Sequence, residues 1–310
     1  MKIHPTAIVS KSAEIGKGTA IGPYALIEDD VKIGSGCEIM QGVQILKGAR
    51  IGDNCMIHQG AIISSLPQDK KFQGWDTYCS IGDNSIIREY VTISRATKQD
   101  STTRIGKNAY LMTGVHIGHD CQIGDGVTMA NLVTLAGHVT VGDLANIGGM
   151  TVIHQFVRVG KLAMVGGDSG LMMDAPPYMI TFGYPPAKVY GVNTIGLKRN
   201  GISQETRMHL KTSFRLLFRS NLNYSQAIER IEAEIEPDDE VNHLLEFVRT
   251  TKRGISARGG ADRMPVYQEQ NGGDESYILT LMGTVKSEET IKEIVAFIES
   301  KTEDSGEVST

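Results

Sequence analysis

Ile105-Gly106-Lys107-Asn108-Ala109-Tyr110-Leu111-Met112-Thr113-Gly114-Val115-His116-Ile117-Gly118 decides the fold. Large aliphatics fall on every sixth residue, Ile105, Leu111 and Ile117. A small residue stands two before Leu111 (Ala109), and glycine follows Ile105 and Ile117. A period of six matches neither the 3.6 of a helix nor the 2 of a half-buried strand. The same clock runs outward both ways. Backward it takes in Ile93, Ile87 and Ile81, then every sixth residue from Ile63 to Ile3; forward it runs through Ile123 and Met129 to Leu171. Of the 29 positions in phase, 26 are Ile, Val, Leu or Met, and the exceptions are Asp69, Trp75 and Gln99. One large aliphatic pointing in, a small residue in a narrow interior and a glycine relieving a tight corner describe short flat strands. Three hexads close a triangular coil of 18 residues, a parallel β-helix.

All four cysteines, Cys37, Cys55, Cys79 and Cys121, fall on the small-residue beat. They read as interior fillers, since free cysteine behaves as a small hydrophobe. Two polar excursions, 64–80 and 94–104, interrupt the rhythm and preserve its phase, so they read as loops leaving the prism. Pro177 occupies the beat after Leu171 and Pro185-Pro186 follow; proline is expected to end the coil. Beyond it, Leu210, Phe214, Leu217 and Phe218 share a helical face, as do Ala227, Ile228, Ile231 and Ile235, and then Val241, Leu244, Leu245 and Val248. Three amphipathic helices closing at Gly254 follow from that spacing. The expected organisation is a β-helix over 1–190, a C-terminal helical domain over 191–256, and over 257–310 a partly disordered linker and extension with one short helix around Ile291–Ile298.

Composition narrows the function. Of 310 residues, 40% are hydrophobic and 22% charged, and 31 basic against 36 acidic residues leave a net charge of −5. That balance argues against non-specific nucleic-acid binding. No apolar run reaches the ~20 residues of a membrane span, and Met1–Pro5 has no secretory apolar core. With no cysteine-pairing framework, the expected location is the cytoplasm.

The histidines converge. Unrolled at 18 residues per coil, His116, His119, His138 and His154 occupy three successive coils and five neighbouring columns, a patch roughly 13 by 10 Å. None lies on an inward beat. Three chemistries can use such a cluster. One is zinc held by three imidazoles, as in the prisms of the gamma-class carbonic anhydrases. Another is general-base attack on a hydroxyl by an imidazole, whose ordinary pKa is about 6.5, oriented by a carboxylate such as Asp120. The third is a polar seam between subunits.

His116-Ile117-Gly118-His119-Asp120-Cys121, Leu135-Ala136-Gly137-His138-Val139 and Gly148–Phe156 closely resemble the UDP-N-acetylglucosamine O-acyltransferases, which begin lipid A synthesis. Pro67–Phe72, Gly191-Val192-Asn193 and Gly196–Arg199 are similar too, so the resemblance covers about residues 1–256 in one colinear order. It implies a left-handed prism, against the usual right-handed crossover, and a homotrimer with active sites between subunits. The implied reaction moves a 3-hydroxyacyl chain from the phosphopantetheine of acyl carrier protein to the sugar 3-hydroxyl, with neither cofactor nor metal. Carried over by motif, His119 is the general base, Asp120 its orienter, and the Gly137 N–H an oxyanion donor of the kind worth about 3–4 kcal/mol. Gln68, Asp69, Lys71, His116, His138, His154, Gln155, Asn193 and Arg199 would bind substrate, and Gly167 would leave room for a long acyl tail. Ile195 and Asn200 stand where the family commonly has an acidic residue and a second arginine, which moves the expected nucleotide contacts toward Lys198 and Arg199. The Tyr184–Tyr190 stretch also departs from the family, and a 3-amino UDP-sugar acceptor stays open as an alternative. Arg207, Lys211, Arg215 and Arg219 recur every four residues along one helix flank and suit docking of an acidic carrier protein.

Overall fold

Hexad after hexad contributes a strand, usually of two residues, and a corner, and the chain visits three faces in turn. The computed structural model describes residues 2–236 and 238–256, all within one compact unit; the expected linker and extension over 257–310 lie outside them. Among the described residues, three sheets of eleven, nine and eight strands, parallel except for the last strand of the eleven, form a left-handed triangular prism. Ile21 pairs with Ile39 and Ile39 with Ile57, so neighbouring coils stand eighteen residues apart. The in-phase aliphatics from Ile21 onward stack into one buried column system, each such side chain contributing roughly 1.5–3 kcal/mol on burial. In the first coil Ile3 is 40% exposed.

Both loops leave the prism in whole hexads. Ile57 pairs with Ile87, thirty residues on, and Ile93 with Ile117, twenty-four on. The insertions add twelve and six residues, which is why the inward beat survives. Strands Ile62–Ser65, Tyr78–Ile81, Thr92–Ser94 and Thr102–Ile105 run into the expected loop spans. The protruding segments are therefore 66–77 and 95–101.

Two expectations are corrected by the backbone. Glycine on the beat after the aliphatic does not serve the corner through a left-handed φ. The positive φ values fall two residues later, at Gly18, Tyr24, Asp120, His138 and Phe156 among others. What the beat glycine allows is close approach: a β-carbon at Gly82 would stand 2.6 Å from the backbone of Gly106. The second correction concerns Pro177, which does not end the sheet. Strand Met179–Phe182 continues it in parallel with Met164–Val165, and Lys188–Val192 closes its edge antiparallel, spanning the expected boundary at 190. Pro177 stands one residue before the positive-φ corner residue Tyr178, the place that His119, Gly137 and Gln155 hold in earlier coils, where the backbone N–H has no backbone acceptor among the described residues. Its missing donor therefore costs nothing there.

The small-residue beat is more than filling. Thr19, Cys37, Cys55, Ser85 and Cys121 donate from Oγ1, Sγ or Oγ to corner carbonyls of the next coil, those of Gly34, Gly52, Gly82, Gly106 and Ala136, at 2.7–3.3 Å. All four cysteines are buried and unpaired.

Among the described residues four helices follow: α1 (Thr194–Arg199), α2 (Gln204–Arg219), α3 (Tyr224–Glu234) and α4 (Asp239–Arg249). The last three are those expected from the apolar faces, and Leu210, Phe218, Ile231 and Leu244 bury into a second core with Leu162, Tyr178 and Val189 of the prism end. α1 carries no sequence periodicity and is held by its Asn193 cap. α4 stops at Thr250, so Gly254 (φ +79°) does not close it. Gly254 instead gives its carbonyl to Asp174 N–H, docking the chain against the prism.

Candidate active site

The chemistry gathers on one corner of the prism. Asp120, His138 and Phe156 lie eighteen residues apart on the corner beat, with φ of +61°, +61° and +64°. Aspartate and histidine are among the side chains that tolerate this conformation best. One column earlier stand His119, Gly137 and Gln155. Register thus brings side chains distant in sequence into a three-coil patch.

His119 Nδ1 is 2.9 Å from Asp120 Oδ2. An ionised carboxylate only accepts, so Nδ1 carries a hydrogen, and in the neutral ring the lone pair is on Nε2. That Nε2 faces Gly137: a β-carbon there would lie 2.6 Å from it. The Gly137 N–H donates to no acceptor among the described residues, like the equivalent corner amides of His119 and Gln155. His138 meets the His119 ring edge-on at 5.2 Å between centroids and stacks on Phe156 at 4.6 Å, 11° from parallel. Its Nε2 is 3.7 Å from Asp120 Oδ2.

Thr97 of the second loop and Thr103 of the strand that follows it support Asp120. Thr97 donates from Oγ1 to Oδ2 at 2.7 Å and from its N–H to Oδ1 at 3.2 Å, and Thr103 Oγ1 accepts the Asp120 N–H at 2.8 Å. Burial acts to raise the Asp120 pKa, but the hydrogen bonds from Thr97 and His119 and the nearby His138 outweigh it, and the carboxyl stays below the ordinary range. Burial lowers the His138 pKa, with Asp120 and Asp69 opposing and His119 and Lys98 assisting. Burial, aided by His119, also lowers that of His116. Both shifts favour the uncharged imidazole. Cys121, the thiol nearest this corner, is pushed up to about 12 by burial and offers no nucleophile.

The remaining candidates divide. His116 hydrogen-bonds Thr92 Oγ1 at 2.7 Å on the strand face, and His154 Nδ1 turns to the Gln155 carbonyl at 3.2 Å. His119, Asp120 and His138 bring ligand-capable atoms within 4.8 Å of one another, and among the described residues His116 and His154 do not join that group. In the first loop the Asp69 carboxylate accepts the Lys71 N–H at 2.9 Å, while Gln68 and the Lys71 side chain are exposed. Asn193 is committed locally, accepting from Gly196 N–H and donating to the Leu162 carbonyl. Arg199 and Ile195 are exposed on α1, and Asn200 caps it with Nδ2 on the Gly196 carbonyl. Gly167 is half-buried, its backbone against Gly148. On α2, Arg207 donates to the Ile202 carbonyl and Arg219 to that of Tyr190, leaving Lys211 and Arg215 as the exposed pair of the flank. Sequence reasoning missed Thr97, Thr103, Lys98 and Phe156; only Phe156, one coil beyond His138, was reachable by lattice arithmetic.

Comparison with known proteins agrees with this layout. Residues 174–256 match the family described as UDP-N-acetylglucosamine O-acyltransferase, domain 2; residues 102–137 match the bacterial transferase hexapeptide and 3–98 the GMPPB C-terminal domain. An acyl-[acyl-carrier-protein]--UDP-N-acetylglucosamine O-acyltransferase of Syntrophobacter fumaroxidans is 45% identical over 82% of this chain and 99% of its own. That of Thermodesulfovibrio yellowstonii is 50% identical over 82% and 98%. The crystal structure of a UDP-N-acetylglucosamine acyltransferase from Bacteroides fragilis superposes with a TM-score of 0.79 at 39% identity, covering 81% of this chain and 98% of that one.

Proposed function

The chain belongs to the UDP-N-acetylglucosamine O-acyltransferases, which take their acyl group from acyl carrier protein, and from that premise we propose that His119 is the general base that sends a 3-hydroxyacyl chain onto the sugar 3-hydroxyl. The observation that carries the reading is the His119 ring, tied by Nδ1 to Asp120 and laid with Nε2 against Gly137. Nε2 takes the hydroxyl proton as the sugar oxygen attacks the thioester carbon. The carbonyl oxygen becomes an oxyanion beside the Gly137 N–H. On collapse the C–S bond breaks, the new C–O ester bond remains, and the proton passes from Nε2 to the departing phosphopantetheine sulfur. Direct transfer of this kind needs neither cofactor nor metal.

His116, His138, His154, Gln155, Gln68, Asp69 and Lys71 would position the sugar and donor, with Arg199 at the nucleotide end and Gly167 beside the acyl tail. Homotrimer formation belongs to the same reading; Leu132, Met150 and Phe156, 50–55% exposed at corners of the prism, support it. The exposed Lys211 and Arg215 would meet the carrier protein. Among the described residues no helix is long and apolar enough to cross a membrane; four unpaired thiols support a cytoplasmic place of action. The test is an acyl-transfer assay with carrier-bound 3-hydroxyacyl chains of graded length, offering UDP-N-acetylglucosamine and its 3-amino analogue. His119→Ala is expected to lower kcat by about 10²–10⁴; transfer at the wild-type rate overturns the reading.

A further inference from the structure

We propose that Thr97, on the second loop, is a positioning residue that reserves Asp120 for His119 against the competing imidazole of His138. The inference rests on the reading of His119 as general base. Asp120 stands between two rings: Oδ2 is 2.9 Å from His119 Nδ1 and 3.7 Å from His138 Nε2. Either imidazole can partner a carboxylate, and only one of them lies over Gly137.

Thr97 decides between them. Its hydroxyl on Oδ2 and its N–H on Oδ1 grip both oxygens of the carboxylate, and it is itself only 7% exposed. With Thr97 Oγ1 and His119 Nδ1 both on Oδ2, that oxygen's two in-plane lone pairs are filled and none is left for His138. The N–H on Oδ1 resists rotation of the group, and Thr103 holds the Asp120 backbone from below. Removing the hydroxyl opens the lone pair nearest His138. The carboxylate is then shared, and the His119 ring loses the contact that fixes its tautomer and its place over Gly137.

Titratable groups around the dyad are His116, His138, Asp69, Lys98 and the Cys121 thiol. None of them is itself replaced in a Thr97 variant, so a movement of the pH profile reports how the two imidazoles share the carboxylate. The experiment measures kcat and KM for UDP-N-acetylglucosamine across pH in the full chain, for Thr97→Val, Thr97→Ala and Thr97→Ser, with His119→Ala alongside. Val and Ala are expected to lower kcat about tenfold or more by misplacing the base, with KM within about threefold. The acid limb of kcat should move to lower pH, because an imidazole deprived of its carboxylate takes a proton less readily. Ser should restore both. A wild-type kcat and acid limb in Val or Ala, or a Ser variant no better than Ala, overturns the proposal. Ala keeps the test available should Val not fold, since it adds no atoms to the loop. Activity retained in His119→Ala would instead bring down the general-base reading, and this inference with it.

Discussion

The His119 imidazole lies so close over Gly137 that a β-carbon there would stand 2.4 Å from Cε1 and 2.6 Å from Nε2. The contact is with a ring held by Asp120 at one end, so the ring must swing to admit even a methyl group. Gly137→Ala is therefore expected to lower kcat about 100-fold, the scale at which a displacement of about 1 Å disables a positioned group. The surrounding coil is untouched, and the melting temperature should hold. Unaltered turnover in the alanine variant would mean that the ring does not work from this position.

Glycine serves two separate needs in the coil, and substitutions separate them. At Gly82 an added β-carbon meets backbone of the next coil at 2.6 Å, whereas at Gly42, with φ +67°, nothing lies within 4 Å. Gly82→Asn should destabilise by about 1–3 kcal/mol through overpacking. Gly42→Asn should be nearly neutral, because asparagine accepts the left-handed conformation. Denaturant unfolding of the two variants checks the order, and a larger loss at Gly42 would restore the φ explanation for the glycine beat.

Much of this was readable because the coil is a lattice. Once Ile105, Leu111 and Ile117 set the beat, His119 and His138 fell in neighbouring coils by counting, and Ile21 through Ile57 pair at the spacing that counting requires. The lattice fails where chain is inserted. Thr97 lies in the six-residue insertion that puts Ile93 opposite Ile117, and no periodicity tells where an inserted loop folds back. Pro177 misled for a different reason: proline breaks a sheet only where its N–H is needed, and at this corner position it is not. Asn193, expected from its motif to bind substrate, also caps α1 and donates to the Leu162 carbonyl. Capping and ligand binding ask for the same side chain, so the motif alone does not separate them.

The prism and α4 are joined at one buried charge. Asp174, 1% exposed, accepts from Arg158 N–H at 2.8 Å, Arg158 Nε at 2.9 Å and Thr251 Oγ1 at 2.8 Å. Arg158 reaches on to the Phe247 carbonyl and lies 4.1 Å over its ring. Asp174→Ala leaves the guanidinium without its counter-charge and should cost about 3–5 kcal/mol. Replacing Arg158 and Asp174 together by apolar residues should cost less than Asp174→Ala alone. Chemical denaturation with tryptophan and far-ultraviolet signals would measure both, and a single variant as stable as wild type would remove the joint from the account.

The last prediction concerns the carrier protein. Of the four basic residues on the α2 flank, Arg207 and Arg219 hold backbone carbonyls, so their charge is bound up with the fold. Lys211 and Arg215 are exposed, one helical turn apart, and can be altered without unpicking a core contact. Rim charges of this kind act mainly on encounter, which is steered by long-range attraction and weakened by salt. The double variant Lys211→Glu/Arg215→Glu should raise KM for the carrier-bound acyl donor by about tenfold, the effect of losing roughly 1.4 kcal/mol of attraction. Its kcat should change little, and KM for the UDP-sugar not at all. Added salt should raise the wild-type KM for the carrier while moving the variant's much less, because the attraction that salt screens has already been removed. A variant with the wild-type KM and the wild-type salt response would place the carrier on some other face of the molecule.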